Sequence, residues 1–387
     1  MKSSAFLPVV QEIMTRFARS TGLSTSANPP RRYLWTDAFA VCNFLELFGQ
    51  TGEDSCLQLA VDLADQVHHV LGRHRGDDPR TGWISGLDEE EAREHPTKGG
   101  LRIGKKINER APSDPYDERL EWDRDGQYYH YLTKWMHALN RLGRVTQEPA
   151  YRLWAIELAK SAHAAFTYSF SDGEKRMYWK MRIDLSAPLV PAMGLHDPLD
   201  GYVTYKELQA RKEELPALGL ETEIEDMAVM CKGKDWTTAD PLGIGGLLTD
   251  AYRLIRLEAT SDADAGEILL AEDLLHSSLR GLESLGRDAS WSLEPAYRLA
   301  FRELGLAIGL QAVERIQARI TGQAGLGETP ALRERTDLLM GYMPLKQKIV
   351  DFWLREENRE NPTWKEHGDI NAVMLATSLF PDGYLAV

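Results

Sequence analysis

The sequence predicts an all-α protein: a closed (α/α)6 toroid of helical hairpins spanning residues 1–387 as one domain, with a small strand or hairpin near residues 176–185. Three observations lead there. Apolar residues recur at helical spacing along nearly the whole chain. The helices come in pairs joined by brief turns and separated by longer excursions, a rhythm that roughly six hairpins would fill. No low-complexity linker or shift in composition divides the chain, although its 387 residues alone would allow two or three domains.

From Asp37, the residues Ala38, Phe39, Val41, Cys42, Leu45 and Phe48 form a broad apolar face that Gly49 is expected to end. After GQTGEDS a second helix runs through Leu57, Ala60, Val61, Ala64, Val67 and Leu71. An irregular stretch over 72–124, rich in Gly, Pro and charge, precedes the next pair, DGQYYHYLTKWMHALNRLG and EPAYRLWAIELAKSAHAAFTY. KRMYWKMRIDL breaks the rhythm: Met177, Trp179, Met181, Ile183 and Leu185 alternate with Tyr or charged residues, which predicts a strand running into the Pro-rich loop SAPLVPAMGLHDPLDGY. A third pair is TADPLGIGGLLTDAYRLIRLE with AGEILLAEDLLHSSLRGLESLG. EPAYRLAFRELGLAIGLQAVERI follows, then the LRERTDLLMGYM and LKQKIVDFWLREE helices, and GDINAVMLATSLF closes the series. Helices apolar on more than one face, such as YYHYLTKWMHAL, belong in an inner ring buried on both sides.

Composition excludes several classes of partner. With 45 Lys+Arg against 59 Asp+Glu the net charge is −14, which disfavours a sequence-independent nucleic-acid binder and an anionic membrane surface. No stretch approaches the ~20 apolar residues of a transmembrane helix, and MKSSAFLPVVQEIMTRF lacks the apolar core of a signal peptide. Cys42, Cys56 and Cys231 form no CxxC or zinc spacing, which fits a reducing compartment. A soluble cytoplasmic protein is expected, with no cofactor, no metal, and no nucleic-acid or membrane partner. Its oligomeric state is not legible.

Tryptophan is the unusual residue, occurring 10 times, as often as Phe. Several tryptophans stand just before an acid at a helix entry: Trp35 with Asp37, Trp122 with Asp123 and Asp125, and Trp236 with Asp240. Trp291 with Glu294, and Trp364 with Glu366 and Asp369, extend the pattern. If the inner helices start on one rim, these pairs converge on one mouth. Indole faces offer flat apolar area to a pyranose ring, and paired carboxylates supply the acid and base of glycosidic cleavage. The plainer reading of any one pair is an N-cap acid beside a core Trp; the recurrence favours a site.

The hairpin rhythm, with RRYLWTDAFAVCNFLELF opening an inner helix, resembles the six-hairpin (α/α) toroid enzymes. These include glycoside hydrolases, unsaturated-uronyl hydrolases and N-acylglucosamine 2-epimerases, and the likeness in architecture extends over nearly all of the chain. Trp35-Thr36-Asp37 is similar to the W-x-D of the uronyl hydrolases, which implies an active-site role for Asp37. The second acid of that family, in an R-x-x-G-W context, has no counterpart here, and the paired-histidine motifs of the epimerases do not align.

Other candidates are more local. HDPLDG places His196, Asp197 and Asp200 before Tyr202, either lining a pocket or holding a divalent cation, or making an Asx-type turn punctuated by Pro198 and Gly201. The helix from Asp125 carries Gln127, His130, Lys134 and His137 in a polar row; facing inward, His130 would be an acid/base, and facing solvent it would be idle. His367 would sit on the rim beside Trp364. GIGG at 243–246 reads as close helix packing, and His68-His69 lacks an HExxH pattern. DEEEAREH at 88–95 reads as a solvated face, while the basic TKGGLRIGKKINERAPSDP reads as a lid, an oligomer contact or a binder of an anionic sugar.

The first functional reading is a glycoside hydrolase with a Trp-lined acidic pocket, acting on a small-molecule or oligosaccharide substrate. Asp37 and Asp125 are its acid/base pair, Asp240 and Asp197 the reserves, and Trp35, Trp122 and Trp236 the stacking surfaces. Asp123, Gln127, His130, His196, Trp364, His367 and Asp369 complete the substrate-binding set. The alternatives are a sugar epimerase or isomerase in which His130, His196 or His367 moves the proton, and a non-catalytic helical binding scaffold.

Overall fold

The structure is a computed structural model that describes residues 5–24, 29–171, 173–210, 218–258, 265–286, 289–322 and 329–386. Contacts divide the chain into two compact units, Thr15–Lys232 and Gly233–Val387 with the first 14 residues, and α1 (Leu7–Ser20) runs through the boundary.

In the Thr15–Lys232 unit the hairpins are α2 (Leu34–Thr51) with α3 (Asp54–Leu71), α6 (Tyr129–Thr146) with α7 (Pro149–Phe166), and α8 (Asp197–Gln209) with α9 (Glu221–Cys231). The short α4 (Glu89–Glu94) and α5 (Glu118–Asp123) lie in the stretch before α6. Helix α6 packs against both α2 and α8, and each of these three is backed by its sequence neighbour. Their residues explain the arrangement. All of 34–45 in α2 is buried, which suits a segment whose only charge is Asp37. By contrast α3 buries Cys56, Ala60, Leu63, Ala64, Val67, His68 and Leu71, one face at three- and four-residue spacing. The expected stop at Gly49 comes later: α2 continues to Thr51, and Gly52, at φ 69°, closes it with an N–H to the Phe48 carbonyl.

The alternating run 175–185 is divided rather than forming one strand. Strand β3 (Lys175–Met177) pairs antiparallel with β2 (Thr167–Ser169). Strand β4 (Lys180–Met181) lies between β1 (Gln127–Tyr128) and β5 (Pro188–Val190). Two partners compete for the run. The Tyr178 N–H goes to Phe166 and the Trp179 N–H to Val190, so the chain changes sheets between them, and Leu185 turns it at φ 60°. Met177, Met181 and Ile183 are buried as the period of two predicts, but the phase breaks where the chain changes sheets: Lys180 is fully buried and Trp179 only half-buried.

Buried charge pins the irregular stretch before α6. Glu109, 6% exposed, pairs through Oε1 with Arg80 and Arg182, both at 2.8 Å, and through Oε2 accepts the Ile183 N–H at 2.6 Å. Arg80 reaches Asp184 at 2.7 Å and chelates Asp78. DEEEAREH forms α4, exposed apart from Ala92 and capped by the Asp88 side chain.

The Gly233–Val387 unit comprises α10 (Pro241–Glu258), α11 (Ala265–Gly286), α12 (Ala300–Gly322), α13 (Pro330–Met340), α14 (Met343–Leu354), α15 (Glu356–Arg359), α16 (Pro362–Glu366), α17 (Gly368–Leu379) and α18 (Asp382–Leu385). Helix α12 packs on α10 and α17, with α11, α13 and α14 behind them. GIGG is a helix crossing: a Cβ on Gly245 would lie 2.2 Å from the Gly305 carbonyl oxygen, and one on Gly309 would lie 2.5 Å from that of Gly245. Among the described residues no helix is long and apolar enough to cross a membrane.

Two expectations follow. Gly245→Val must part α10 from α12, because backbone cannot yield as a side chain can; a loss of about 3 kcal/mol is expected in urea unfolding. His68 is fully buried on α3, where its Nε2 accepts the Trp135 Nε1–H at 3.1 Å. Burial pulls its pKa down to about 3. The unfolded chain protonates this group near pH 6.5 and the folded chain does not, so stability falls on acidification through that window by up to about 1.4 kcal/mol per pH unit. Unfolding midpoints at pH 7 and pH 5 should converge in His68→Leu relative to the parent protein.

Candidate active site

Within the Thr15–Lys232 unit the entries of α2, α6 and α8 come together. Trp35 stands in the first turn of α2, Tyr128 and His130 flank the junction of β1 with α6, and Asp197 opens α8. His130 stacks on Tyr128 with centroids 5.4 Å apart and planes at 19°, and meets Trp35 edge-on at 6.2 Å. Tyr131 packs on Trp35 at 5.4 Å and shares a 2.8 Å hydroxyl–hydroxyl hydrogen bond with Tyr33. The wall continues from Tyr128 to Trp179 at 5.4 Å and from Trp179 to Trp122 at 4.6 Å, ending on an indole that is 47% exposed.

Polar atoms are left open in this wall. The Nδ1 of His130 lies 3.4 Å from Asp197 Oδ1, too far for a good hydrogen bond, with the side chains 25% and 5% exposed. His130 Nδ1, Asp197 Oδ2 and Trp35 Nε1 are all buried without a hydrogen-bond partner among the described residues. Buried polar groups in native folds are completed by a protein, water or ligand partner, and these three lie on neighbouring residues of one wall. Backbone closes over the carboxylate: a Cβ on Gly194 would sit 2.5 Å from Asp197 Oδ2.

The supporting groups are fully engaged. Lys134 binds Asp200 at 2.8 Å. Burial works to raise the Asp200 carboxyl, but Lys134, with His130 and His196, carries it below the usual carboxylate range. The Tyr129 hydroxyl donates to that of Tyr205 at 2.8 Å, tying α6 to α8, and Gly201 admits it, since a Cβ there would meet the Tyr129 oxygen at 2.4 Å. Beneath Tyr128, the Lys180 ammonium donates to the carbonyls of Glu121 and Arg124 at 2.5 and 2.9 Å. Burial pulls its pKa down to about 8.

The residues singled out from the sequence fall into three groups. Trp35, His130 and Asp197 meet, Trp122 joins them through Trp179 and Tyr128, and half-buried His196 precedes α8. Asp123 is exposed beside Trp122. Asp37, 1% exposed, reaches back from the first turn of α2 to the Tyr33 N–H at 2.8 Å and lies 3.4 Å from Arg32. Asp125 is fully enclosed: Oδ1 accepts the N–H groups of Gly104 and Gly126 at 2.9 and 3.1 Å, and Oδ2 accepts Arg102 and Arg75 at 2.8 and 3.3 Å. Four donors occupy it, which makes it a structural tie. Gln127 is another, accepting the Leu101 N–H and donating to the carbonyls of Gly99 and Ile183.

The third group lies in the Gly233–Val387 unit. Asp240 accepts the Gly243 N–H at the start of α10 and pairs with Arg302 at 2.6 Å, as a helix cap does. Trp236 is buried, Trp364 stacks on Trp353 at 5.5 Å, His367 precedes α17 against Phe301, and Asp369 occupies the first turn of α17. The sequence reading missed Tyr33 and Tyr131 as wall residues, although Tyr33 stands two positions before Trp35 and Tyr131 follows His130. Among the described residues no three His, Cys, Asp or Glu side chains gather as a metal site.

No family model matches the chain, and no curated relative does. The structure is similar to a GH76 alpha-mannanase of Bacteroides thetaiotaomicron, with a TM-score of 0.52 at 9% identity, covering 97% of this chain and 95% of the other. A cellobiose 2-epimerase from Spirochaeta thermophila aligns with a TM-score of 0.49 at 12% identity, over 97% and 98% of the two chains. The likeness to the mannanase shows the fold, the (α/α)6 toroid that the helical rhythm predicts.

Asp125→Asn separates support from chemistry. Removing the charge leaves Arg75 and Arg102 without their common anion, and a loss of about 3–5 kcal/mol in urea unfolding is expected.

Proposed function

We propose that the protein is a carbohydrate-active enzyme that moves a proton on a sugar, as an epimerase or isomerase does, with His130 as the acid/base and Asp197 orienting it. The observation that carries this is the cluster of unsatisfied polar atoms, Trp35 Nε1, His130 Nδ1 and Asp197 Oδ2, set in an aromatic wall. With the His130 Nδ1 turned toward the Asp197 carboxylate at 3.4 Å, the Nε2 edge of the ring is the one left for the substrate. Trp122 offers an exposed apolar face to pyranose C–H groups, while Trp35 and Tyr128 are buried against His130 and hold it in place. Asp123 and His196 are further substrate contacts in this reading. Cys42, Cys56 and Cys231 are buried as thiols rather than joined in disulfides, which favours a reducing, cytoplasmic setting.

Glycoside hydrolysis is the second reading. It is favoured by the unsatisfied Asp197 oxygen, by the exposed Asp123 beside Trp122, and by likeness of fold to the mannanase. The pair would then draw on Asp197 rather than on Asp125, whose oxygens are filled.

A panel of hexoses, disaccharides and mannan oligosaccharides incubated in deuterated water distinguishes the two. Deuterium at the carbon beside the carbonyl, without bond cleavage, is the expected result, and His130→Gln should lower that rate by about 10²–10⁴-fold. Release of new reducing ends without carbon-bound deuterium would select hydrolysis. Unaltered turnover in His130→Gln would remove His130 from either mechanism.

A further inference from the structure

The Trp122 indole is 47% exposed, yet the backbone that carries it is tightly held. The last carbonyls of a helix have no partner within it. In α5 the Leu120 carbonyl accepts the Arg124 N–H, which closes the helix. The carbonyls of Glu121, Trp122 and the cap residue Arg124 go instead to two lysines. Lys180 donates to those of Glu121 and Arg124 at 2.5 and 2.9 Å, and Lys105 donates to that of Trp122. The Glu121 carboxylate lies 3.5 Å from Lys180 and is itself held by Arg110 at 2.6 Å. The indole rests edge-on against Trp179, one residue before Lys180.

The two lysines come from different segments, the irregular stretch and β4, and meet at one ring. Their ammoniums lie 5.4 and 5.6 Å from the Tyr128 centroid, and Tyr128 in turn stacks on His130. Lys180 is fully buried, a costly place for a charge. What an ammonium adds there over an apolar side chain of the same length is directed bonds to carbonyls. Those bonds fasten the end of α5 to the same ring that supports the imidazole, so Trp122 and His130 share one footing.

We propose that Lys105 and Lys180 are positioning residues, which hold α5 by its C-terminal carbonyls and so keep Trp122 fixed as an open platform. That the platform takes a sugar rests on the function proposed above; the mount itself does not. Burial draws the Lys180 ammonium down to about 8, with the Glu121 carboxylate and Asp125 working against burial and Lys105 working with it. Arg124 turns its guanidinium away, toward Asp114. Burial also draws Lys105 below the usual lysine range, against the pull of Asp123 and Asp125. A neutral amine bonds a carbonyl more weakly than an ammonium does, so the mount loosens as Lys180 gives up its proton.

Fluorine NMR of the full-length protein labelled with 5-fluorotryptophan tests this, the Trp122 resonance being the one lost in Trp122→Phe. On raising the pH that resonance should shift with a midpoint of about 8. In Lys180→Met it should stand near its alkaline position at every pH, and in Lys105→Gln it should already be displaced at pH 7. Should Lys180→Met not fold, the parent titration and Lys105→Gln decide the matter. A Trp122 resonance that ignores pH, or that moves alike in the parent and in Lys180→Met, would overturn the proposal, as would an undisplaced resonance in Lys105→Gln. For a sugar that the protein turns over, Trp122→Ala and Lys180→Met should each raise KM about tenfold and the double variant no further. Effects that multiply would show that Lys180 does not act through Trp122. Turnover of no sugar would remove the proton-transfer reading, and the resonance alone would then uphold or overturn the mount.

Discussion

The candidate site depends on the Asp125 carboxylate. Its two oxygens draw together the N–H groups of Gly104 and Gly126 and the guanidiniums of Arg75 and Arg102, joining the irregular stretch to the residue before β1. Around this tie the backbone is laced: Ile103 accepts the Leu34 N–H at the entry of α2 and donates its own N–H to the Gly126 carbonyl. Gly104, at φ 93°, would bring a Cβ within 2.2 Å of the Arg32 carbonyl oxygen, so only glycine fits the seam. The start of α2 and the start of α6, which carry Trp35 and His130, are thereby fixed to the same knot.

Placing an anion there has an electrostatic consequence. A buried carboxylate needs compensating donors, and here two of the four are guanidiniums from the irregular stretch. The arginines recruited to neutralise Asp125 also line a cleft with Arg31, Arg32 and Lys105, so one ionic requirement of the fold gathers cations next to the entry of α2.

Much of the fold was legible because burial and period are properties of single segments. The unbroken apolar run of α2 and the one-sided face of α3 follow directly from residue order, and GIGG was readable as a crossing because only glycine lets backbones approach so closely. The candidate site was partly legible. Trp35, His130 and Asp197 stood out by type, but Asp125 looks the same in sequence whether it faces a substrate or four donors. Those donors come from as far as 50 residues away, a separation that no local pattern encodes. The alternation at 175–185 announced strands, and β3 and β4 lie there, but the change of sheet between them is decided by partners elsewhere in the chain.

The edge-to-face meeting of Trp122 and Trp179, 4.6 Å apart with one ring open to solvent, has an optical consequence. Indoles this close couple their electronic transitions, so the near-ultraviolet dichroism of the protein should carry a signature of their relative tilt. Anything that lies against Trp122 displaces water from one member of the pair and disturbs both. The wall is thus a built-in reporter of its own occupancy, readable without a label.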